Sequence, residues 1–480
     1  MKDTNQKENP QIFSKKIFVP FLISFALLAG LYVLADWWYW SLEQLIKILL
    51  LGISFLIIAA LPLVIDVGQQ IIIQKKKPEF DIFSPKIVFS FVFCLMYGIG
   101  FIRAYMRGIT AVLELNLVIA IGLLAFWVGI FLVSYLSSEK FSSAPQADFI
   151  MQWNSARFYK ITWAIFAASL LVFLFSLRRT GLIIFQSNLE VTRTQTVAQI
   201  GGYAFYIIRS MAIALFFGVI FLTTRRSTSI IKKLSIVILI VTGCLVLLAT
   251  GYRNGVVVFL IGALIIFHYS IRPLKMRETA LMTLSLIAGI AAYALWRQGG
   301  ELYWAEIFDR ASHELALPLM TLLTTVENVP ETVPFLYGNG ILMTFLALLP
   351  GEQPVLGPWL KEQFGLNFAG GGFPPSILGG FYLEFGIIGI IIGMLLLGVI
   401  LQLAYIFLRR QPTELSLIIY SFLLTYSIQS IRDGLLKDIF PIWFIVVVIL
   451  THLLIIKMPR IYISKNSYPD GSHSIVVDNK

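Results

Sequence analysis

Four polar residues recur at helical spacing in one segment of the chain: Glu306, Arg310, His313 and Glu314. Steps of four, three and one residue place all of them on the same face of a helix. A guanidinium binds phosphate or carboxylate through paired hydrogen bonds, and an imidazole or carboxylate accepts the proton of a hydroxyl group. The pattern predicts either a site that binds an anion and removes a proton, or a solvated helix face held by pairs four residues apart.

The rest of the chain indicates a membrane frame around this segment. Of the 480 residues, 58% are hydrophobic and 13% are charged, whereas about 25% of the residues of a soluble domain are charged. Apolar runs recur that are long enough to cross about 30 Å of hydrocarbon as a helix. The composition predicts an all-α, polytopic transmembrane helix bundle, because backbone polar groups in lipid must be bonded within helices. About twelve spans are predicted, at 17–35, 45–65, 87–105, 116–136, 160–177, 204–223, 234–250, 255–271, 279–296, 386–408, 414–431 and 440–457.

Basic residues set the expected topology. Loops assigned to the inner side hold twice as many Lys and Arg residues as the outer side, which places both termini in the cytoplasm. These loops explain the net charge of +11, so no nucleic-acid partner is expected. The predicted units are spans one to nine (1–296), a large outer loop between spans nine and ten (297–385), spans ten to twelve (386–460) and a cytoplasmic tail (461–480). The polar stripe lies in the outer loop.

Arginine dominates the outer side. Ten of the twelve basic residues assigned there are arginine, whereas the inner loops mix lysine and arginine. Topology requires only positive charge, so this preference favours bidentate binding of phosphate or carboxylate. The alternative is that arginine reaches water well from the end of a span. Together with the acid at the start of the tenth predicted span, the candidate binding residues are Arg253, Arg297, Arg178, Arg179, Arg432 and Glu384.

Several chemistries have no sequence signal here. The chain has no His-Glu-x-x-His segment, no Gly-x-Ser-x-Gly segment and no phosphate-binding nucleotide loop. Its two cysteines, Cys94 and Cys244, both fall in apolar spans, which favours neither a disulfide nor a metal site. We therefore expect no metal ion and no cofactor.

Two segments carry a family resemblance: Gly251-Tyr-Arg-Asn-Gly255 at an outer span junction, and Pro374-Pro-Ser-Ile-Leu-Gly-Gly-Phe-Tyr-Leu-Glu-Phe-Gly-Ile-Ile-Gly389 before the tenth span. With the twelve-span topology and the late outer loop, they resemble the Wzy-type polymerases of O-antigen or oligosaccharide repeat units. That family belongs to the C-type glycosyltransferases and is related to the O-antigen ligases. The resemblance in topology covers most of the chain, whereas the resemblance in sequence is confined to 252–255 and 374–389.

The resemblance implies a membrane glycosyltransferase of the bacterial inner membrane. Its substrate would be an undecaprenyl-diphosphate-linked oligosaccharide at the outer face, with membrane lipid around it and a chain-length regulator protein as a further partner. The related ligases use outer arginines and a histidine in a large outer loop, and His313 matches that histidine by position. In this interpretation Arg253, Arg297 and Arg310 stabilise the departing diphosphate without a metal. Either Glu314 or His313 is the base, and we favour Glu314 because a neighbouring arginine keeps it ionised.

Two other functions compete with polymerisation. An O-antigen ligase would use the same chemistry with a different acceptor. A flippase or other transporter of lipid-linked oligosaccharide would carry charges through many spans, but few acidic residues fall inside the predicted spans. The long outer loop also favours an enzyme over a transporter.

Overall fold

The computed structural model describes residues 81–109, 111–137, 149–181, 202–225, 228–250, 253–297, 304–346, 349, 355–368, 371–435, 439–456, 461–463 and 475–477. The predicted spans 17–35 and 45–65, and most of the outer loop between the fifth and sixth spans, lie outside these residues.

The described residues form a helical bundle, as the long apolar runs predict. Its helices are α1 Pro85–Met106, α2 Leu115–Leu136, α3 Ser155–Thr180, α4 Gly202–Arg209, α5 Met211–Thr224, α6 Ile230–Ala249, α7 Arg253–Ser270, α8 Met276–Arg297, α9 Trp304–Asn328, α10 Asn339–Leu346, α11 Leu356–Gln363, α12 Ser376–Arg410, α13 Glu414–Asp433 and α14 Phe440–Ile455. A 3-10 turn, Ala111–Glu114, joins α1 to α2. In the tail, the short strands β1 (Ile461–Ile463) and β2 (Ile475–Val477) pair in antiparallel fashion.

Seven helical segments in the described part of the chain are long and apolar enough to cross a membrane. They are Pro85–Met106, Leu115–Leu136, Ser155–Arg179, Gly202–Thr224, Ile230–Ala249, Ser376–Arg410 and Glu414–Asp433. The apolar helices α7 and α14 are shorter. An integral membrane protein of helical architecture is therefore confirmed, whereas the total of twelve spans and the position of the outer loop between spans nine and ten stay predictions.

Close helix packing holds the bundle together. A Cβ added to Gly129 of α2 would lie 2.2 Å from the carbonyl oxygen of Leu395, and one added to Gly398 of α12 would lie 2.2 Å from that of Phe126. Only glycine allows the two backbones to approach this closely. In lipid, where hydrophobic burial contributes little between helices, such van der Waals contact is a main source of stability.

Helix α12 is two helices joined by a reversal. Phe385 (φ −144°, ψ 24°) and Gly386 (φ 62°, ψ −143°) leave the helical region. The segment 376–384 folds back on the longer arm 387–410. A Cβ added to Gly389 would lie 2.1 Å from the carbonyl oxygen of Phe381, and Gly393 lies against the ring of Phe381. The short arm has nine residues, or about 13 Å of helix, so it cannot cross the hydrocarbon core. Its residues, 376–384, belong to the run Pro374–Gly389 that carried the resemblance.

Helix α9, predicted from the polar stripe, packs against α1, α8, α12 and α13. Leu319 is fully buried and lies against Gly100, where an added Cβ would be 2.7 Å from the Cβ of Leu319. Asp309, which precedes Leu319 on α9, contacts Arg103, which follows Gly100 on α1. The two helices are therefore antiparallel. The apolar half of α9 thus anchors in the core, and its first half carries the stripe at the end of α1 that the topology assigns to the outer side.

Candidate active site

Glu314 is bound by two arginines from different helices. Its Oε1 lies 3.1 Å from Nη2 of Arg310, four residues earlier on α9, and its Oε2 lies 3.0 Å from Nη2 of Arg432 at the end of α13. The side chains of Arg310 and Arg432 are 26% and 23% exposed, and that of Glu314 is 14% exposed. The two guanidinium groups are therefore accessible from outside the protein while they remain fixed by the carboxylate between them.

A third arginine enters from α1. Nη1 of Arg103 lies 2.8 Å from Oδ1 of Asp309 and also donates to the backbone carbonyl of Asp309 at 3.1 Å and to the hydroxyl of Ser312. The Arg103 side chain is only 6% exposed. This buried cation attaches the polar half of α9 to α1 and adds positive charge directly beside the stripe.

His313 lies among these cations. Partial burial lowers the pKa of its imidazole below the ordinary value, and Arg103, Arg310 and Arg107 lower it further against the opposing effect of Glu314. A lowered pKa favours the neutral imidazole, which is the form that accepts a proton. This environment differs from that of Glu314, which is paired with two guanidinium groups.

Asp433 links the site to the Gly251–Gly255 segment. Its Oδ2 accepts hydrogen bonds from Nδ2 of Asn254 (2.8 Å) and Nε2 of Gln429 (3.0 Å), while its Oδ1 lies 3.7 Å from Nε of Arg432. Asn254 is the second residue of α7, so the first turn of that helix lies beside Arg432. The two segments that carried the resemblance thus approach the same region, because the residue after Asp433, Gly434, also faces the carbonyl of Ser376.

The remaining predicted binding residues differ in placement. Arg253 begins α7 and Arg297 ends α8, but their side chains lie outside the described structure and their role stays a prediction. Arg178 and Arg179 end α3, whose main neighbours are α4, α5 and α6, and no described contact joins either arginine to Glu314. The guanidinium of Arg179 lies 4.6 Å from the ring centre of Phe175 on the same helix.

Glu384 holds a helix end. The residue is 2% exposed, and its Oε2 accepts a hydrogen bond of 2.7 Å from the backbone N–H of Gly338. Its Oε1 lies beside Gly340, where an added Cβ would be only 2.2 Å away. Glu384 therefore caps the first turn of α10, and a direct part in substrate binding stays a prediction.

Sequence reasoning missed Arg103, Arg107 and Asn254 as members of the site. The two arginines were part of the outer excess, and Asn254 stands inside the Gly251–Gly255 segment. The excess of outer arginine did not distinguish Arg103 and Arg107 from the other arginines predicted on that side. The Gly251–Gly255 segment did not indicate which of its side chains would reach the site. Groups of three or more His, Cys, Asp or Glu residues able to hold a metal ion are not found in the described ranges, and metal independence stays a prediction.

Comparison with known proteins assigns the family. A family model described as "Putative O-antigen polymerase" matches residues 81–446, which is about three quarters of the chain. Searches of curated proteins and of solved structures returned no match. The matched range includes the arginine-bound glutamate, the neighbouring histidine and both segments that carried the resemblance, and this chain therefore belongs to the O-antigen polymerase family.

Proposed function

We propose that the protein is a metal-independent glycosyltransferase that joins undecaprenyl-diphosphate-linked oligosaccharide repeat units at the outer face of the bacterial inner membrane. Family membership supports polymerisation and a lipid-linked oligosaccharide substrate. The arginine cluster supports a diphosphate leaving group, because guanidinium groups bind phosphate oxygens in pairs. A chain-length regulator protein is a proposed partner on the family resemblance alone.

The reaction has a simple balance of bonds. The bond between the donor sugar's anomeric carbon and the diphosphate oxygen breaks, and a hydroxyl oxygen of the acceptor sugar bonds to that carbon. The hydroxyl proton must leave, and negative charge grows on the departing diphosphate. Arg310 and Arg432 are suited to stabilise that charge, since both guanidinium groups are positively charged, lie on the same carboxylate and are about a quarter exposed.

The observation that carries the proposal is that Arg310 and Arg432 both pair with Glu314, the residue directly after His313. A base must be unprotonated, and burial together with Arg103, Arg310 and Arg107 lowers the pKa of His313, which favours that form. We therefore assign the base to His313 and give Glu314 the role of positioning Arg310 and Arg432. This reverses the preference drawn from the sequence, because α13 supplies a second arginine to Glu314.

Glu314→Gln tests the positioning role in a purified system with undecaprenyl-diphosphate repeat units. Loss of one charged partner for both arginines should reduce elongation by roughly 10²-fold, as expected when catalytic groups lose their alignment. The matched control is Glu278→Gln, because Glu278 also pairs with an arginine, Arg272, at 2.9 and 3.0 Å but near the start of α8 on the inner side. A normal product ladder from Glu314→Gln at normal protein level would refute the assignment.

The choice of acceptor separates the polymerase from the ligase. A polymerase lengthens a lipid-linked repeat unit in steps, so purified protein with that substrate alone should yield a ladder of products. A ligase would give no ladder without a different acceptor. Movement of intact substrate across the bilayer without new glycosidic bonds would instead indicate a flippase.

A further inference from the structure

Helix α10 lies in an unusually apolar stretch of the predicted outer loop. Between Glu331 and Glu352 the chain has no charged residue. The helix Asn339–Leu346 has eight residues, or about 12 Å, so it is too short to cross the hydrocarbon core. Its side chains Ile341, Leu342 and Phe345 are 38%, 51% and 46% exposed, although the helix belongs to the predicted outer loop.

The start of α10 is held by a buried carboxylate. The first N–H groups of a helix have no partner within the helix and must be satisfied by other groups. Here Oε2 of Glu384, a residue that is 2% exposed, accepts a hydrogen bond of 2.7 Å from the backbone N–H of Gly338. Gly340 makes this approach possible, because a Cβ at that position would lie 2.2 Å from Oε1 of Glu384. The first turn of the short helix is therefore fixed to α12 close to the reversal.

The exposed face of α10 continues the exposed apolar surface of α12, a helix long and apolar enough to span a membrane. Beyond the reversal, the long arm of α12 exposes Ile388 (65%), Ile392 (52%) and Leu396 (51%) at steps of four residues, which is one stripe of a membrane-spanning helix. The ring of Phe385, in the reversal, lies 6.0 Å from that of Tyr337, which precedes α10. Both rings are exposed, so the aromatic pair joins the stripe of α12 to the face of α10.

We infer that α10 lies in the outer leaflet of the membrane, with lipid hydrocarbon chains as the partner of its exposed apolar face. Tyr337 then stands near the boundary between hydrocarbon and headgroups, where tyrosine is favoured. The inference commits to lipid because the face is uncharged and continuous with the exposed apolar stripe of a candidate membrane span. A protein partner would be expected to add polar or charged complementarity at its rim, and the uncharged sequence around α10 provides no charged group for it.

Photocrosslinking in native membranes tests the inference. A benzophenone amino acid is placed at Leu342, at Ile392 as the lipid-facing reference, and at Gln363, an exposed residue of α11 next to Lys361 and Glu362. After irradiation, lipid adducts are counted by mass spectrometry of the purified protein, and protein adducts by gel shift. Each protein is first checked for a normal elution profile, and all three sites are exposed, so the large side chain has room.

The expected result is a lipid-adduct yield at position 342 similar to that at 392 and several times that at 363. A yield at 342 no higher than at 363 would overturn the inference. So would a crosslink from 342 mainly to a protein, whether a second copy or another chain. The readout does not depend on enzymatic activity, so it stands or falls separately from the proposed function.

Discussion

Two ion pairs at opposite ends of α13 have different roles: one is a buried structural pair, and the other belongs to the candidate active site. Glu414 begins the helix and Asp433 ends it, about 30 Å apart at 1.5 Å per residue. At the first end, Nη2 of Arg225 lies 2.7 Å from Oε1 of Glu414 and donates to the carbonyl of Trp153 at 2.7 Å. At the other end, Arg432 meets Glu314.

The pair at Glu414, at the predicted inner end of α13, is closed. The Glu414 side chain is 0% exposed and that of Arg225 is 7% exposed. Glu414 also accepts the backbone N–H groups of Gln152 and Trp153 at 3.0 and 3.4 Å. A buried charge pair is tolerated when such extra bonds replace the lost water. This end therefore ties α3, α5 and α13 together, and its protein partners surround it.

The cluster at Arg432, at the predicted outer end of α13, is open and contains more arginines. Arg310 and Arg432 are about a quarter exposed, and Arg103 and Arg107 come close enough to lower the pKa of His313. A partly solvated group of guanidiniums fixed by carboxylates can exchange water for an anionic ligand. Exposure of the paired groups, rather than the presence of an ion pair, distinguishes this candidate binding site from the structural pair.

The largest expected effect is on catalysis at the outer end. His313→Ala should lower the elongation rate by about 10² to 10⁴-fold, the usual contribution of a general base, while the protein stays folded. The measurement is the initial rate of ladder formation with purified protein. His473→Ala, in the C-terminal tail, serves as the control. A wild-type rate from His313→Ala would place the base elsewhere and weaken the contrast between the two ends.

The next effect is on stability at the inner end. Arg225→Ala leaves Glu414 buried without its cation and should cost about 3–5 kcal/mol of unfolding free energy. Arg432→Ala removes a partly exposed partner and should cost about 1 kcal/mol or less, yet it should lose polymer. Denaturant unfolding in detergent compares the two variants. Equal destabilisation by both would erase the distinction between a structural pair and a site.

A smaller effect is expected where the hairpin of α12 packs. Gly389→Ala forces a methyl group against the carbonyl of Phe381 and should cost about 1–3 kcal/mol by overpacking. Gly289→Ala on α8 is the control, because no atom lies within 4 Å of the added Cβ, and it should be neutral or slightly stabilising. If thermal unfolding ranks the two variants the other way, the close approach of the two arms is wrong.

The smallest effect is a shift in the pH dependence. The base must be neutral, so kcat/KM should fall as pH drops through the pKa of His313, by at most tenfold per pH unit. Because burial and the arginines lower that pKa, the fall should begin below the ordinary histidine value near 6.5. Arg103→Gln removes one of these cations and should move the acidic limb to higher pH. An unchanged limb in this variant would show that Arg103 does not act on the base.

The sequence predicted the parts of this protein that depend on local pattern. Apolar runs of membrane length gave the helices, so α1, α2 and α13 begin and end within a few residues of the predicted spans. The four-residue spacing of Arg310 and Glu314 put them on one helix face, and they pair there. The glycines and prolines of 330–380 limited helices in that stretch, and α10 and α11 are eight residues each.

Only the tertiary structure decided which distant residues meet. Arg103 contacts Ser312 across 209 positions of the chain, and Asn254 contacts Asp433 across 179. A helix period specifies which face a side chain occupies but not which helix packs against that face, so no spacing in the sequence encodes these pairs. The same limit applies to Glu384: the reversal at Phe385 and Gly386 places it beside the first turn of α10, a contact that its position before a span did not predict, and its part in substrate binding stays a prediction. Glu314, likewise, became a fixed partner of two arginines only because α13 ends beside α9.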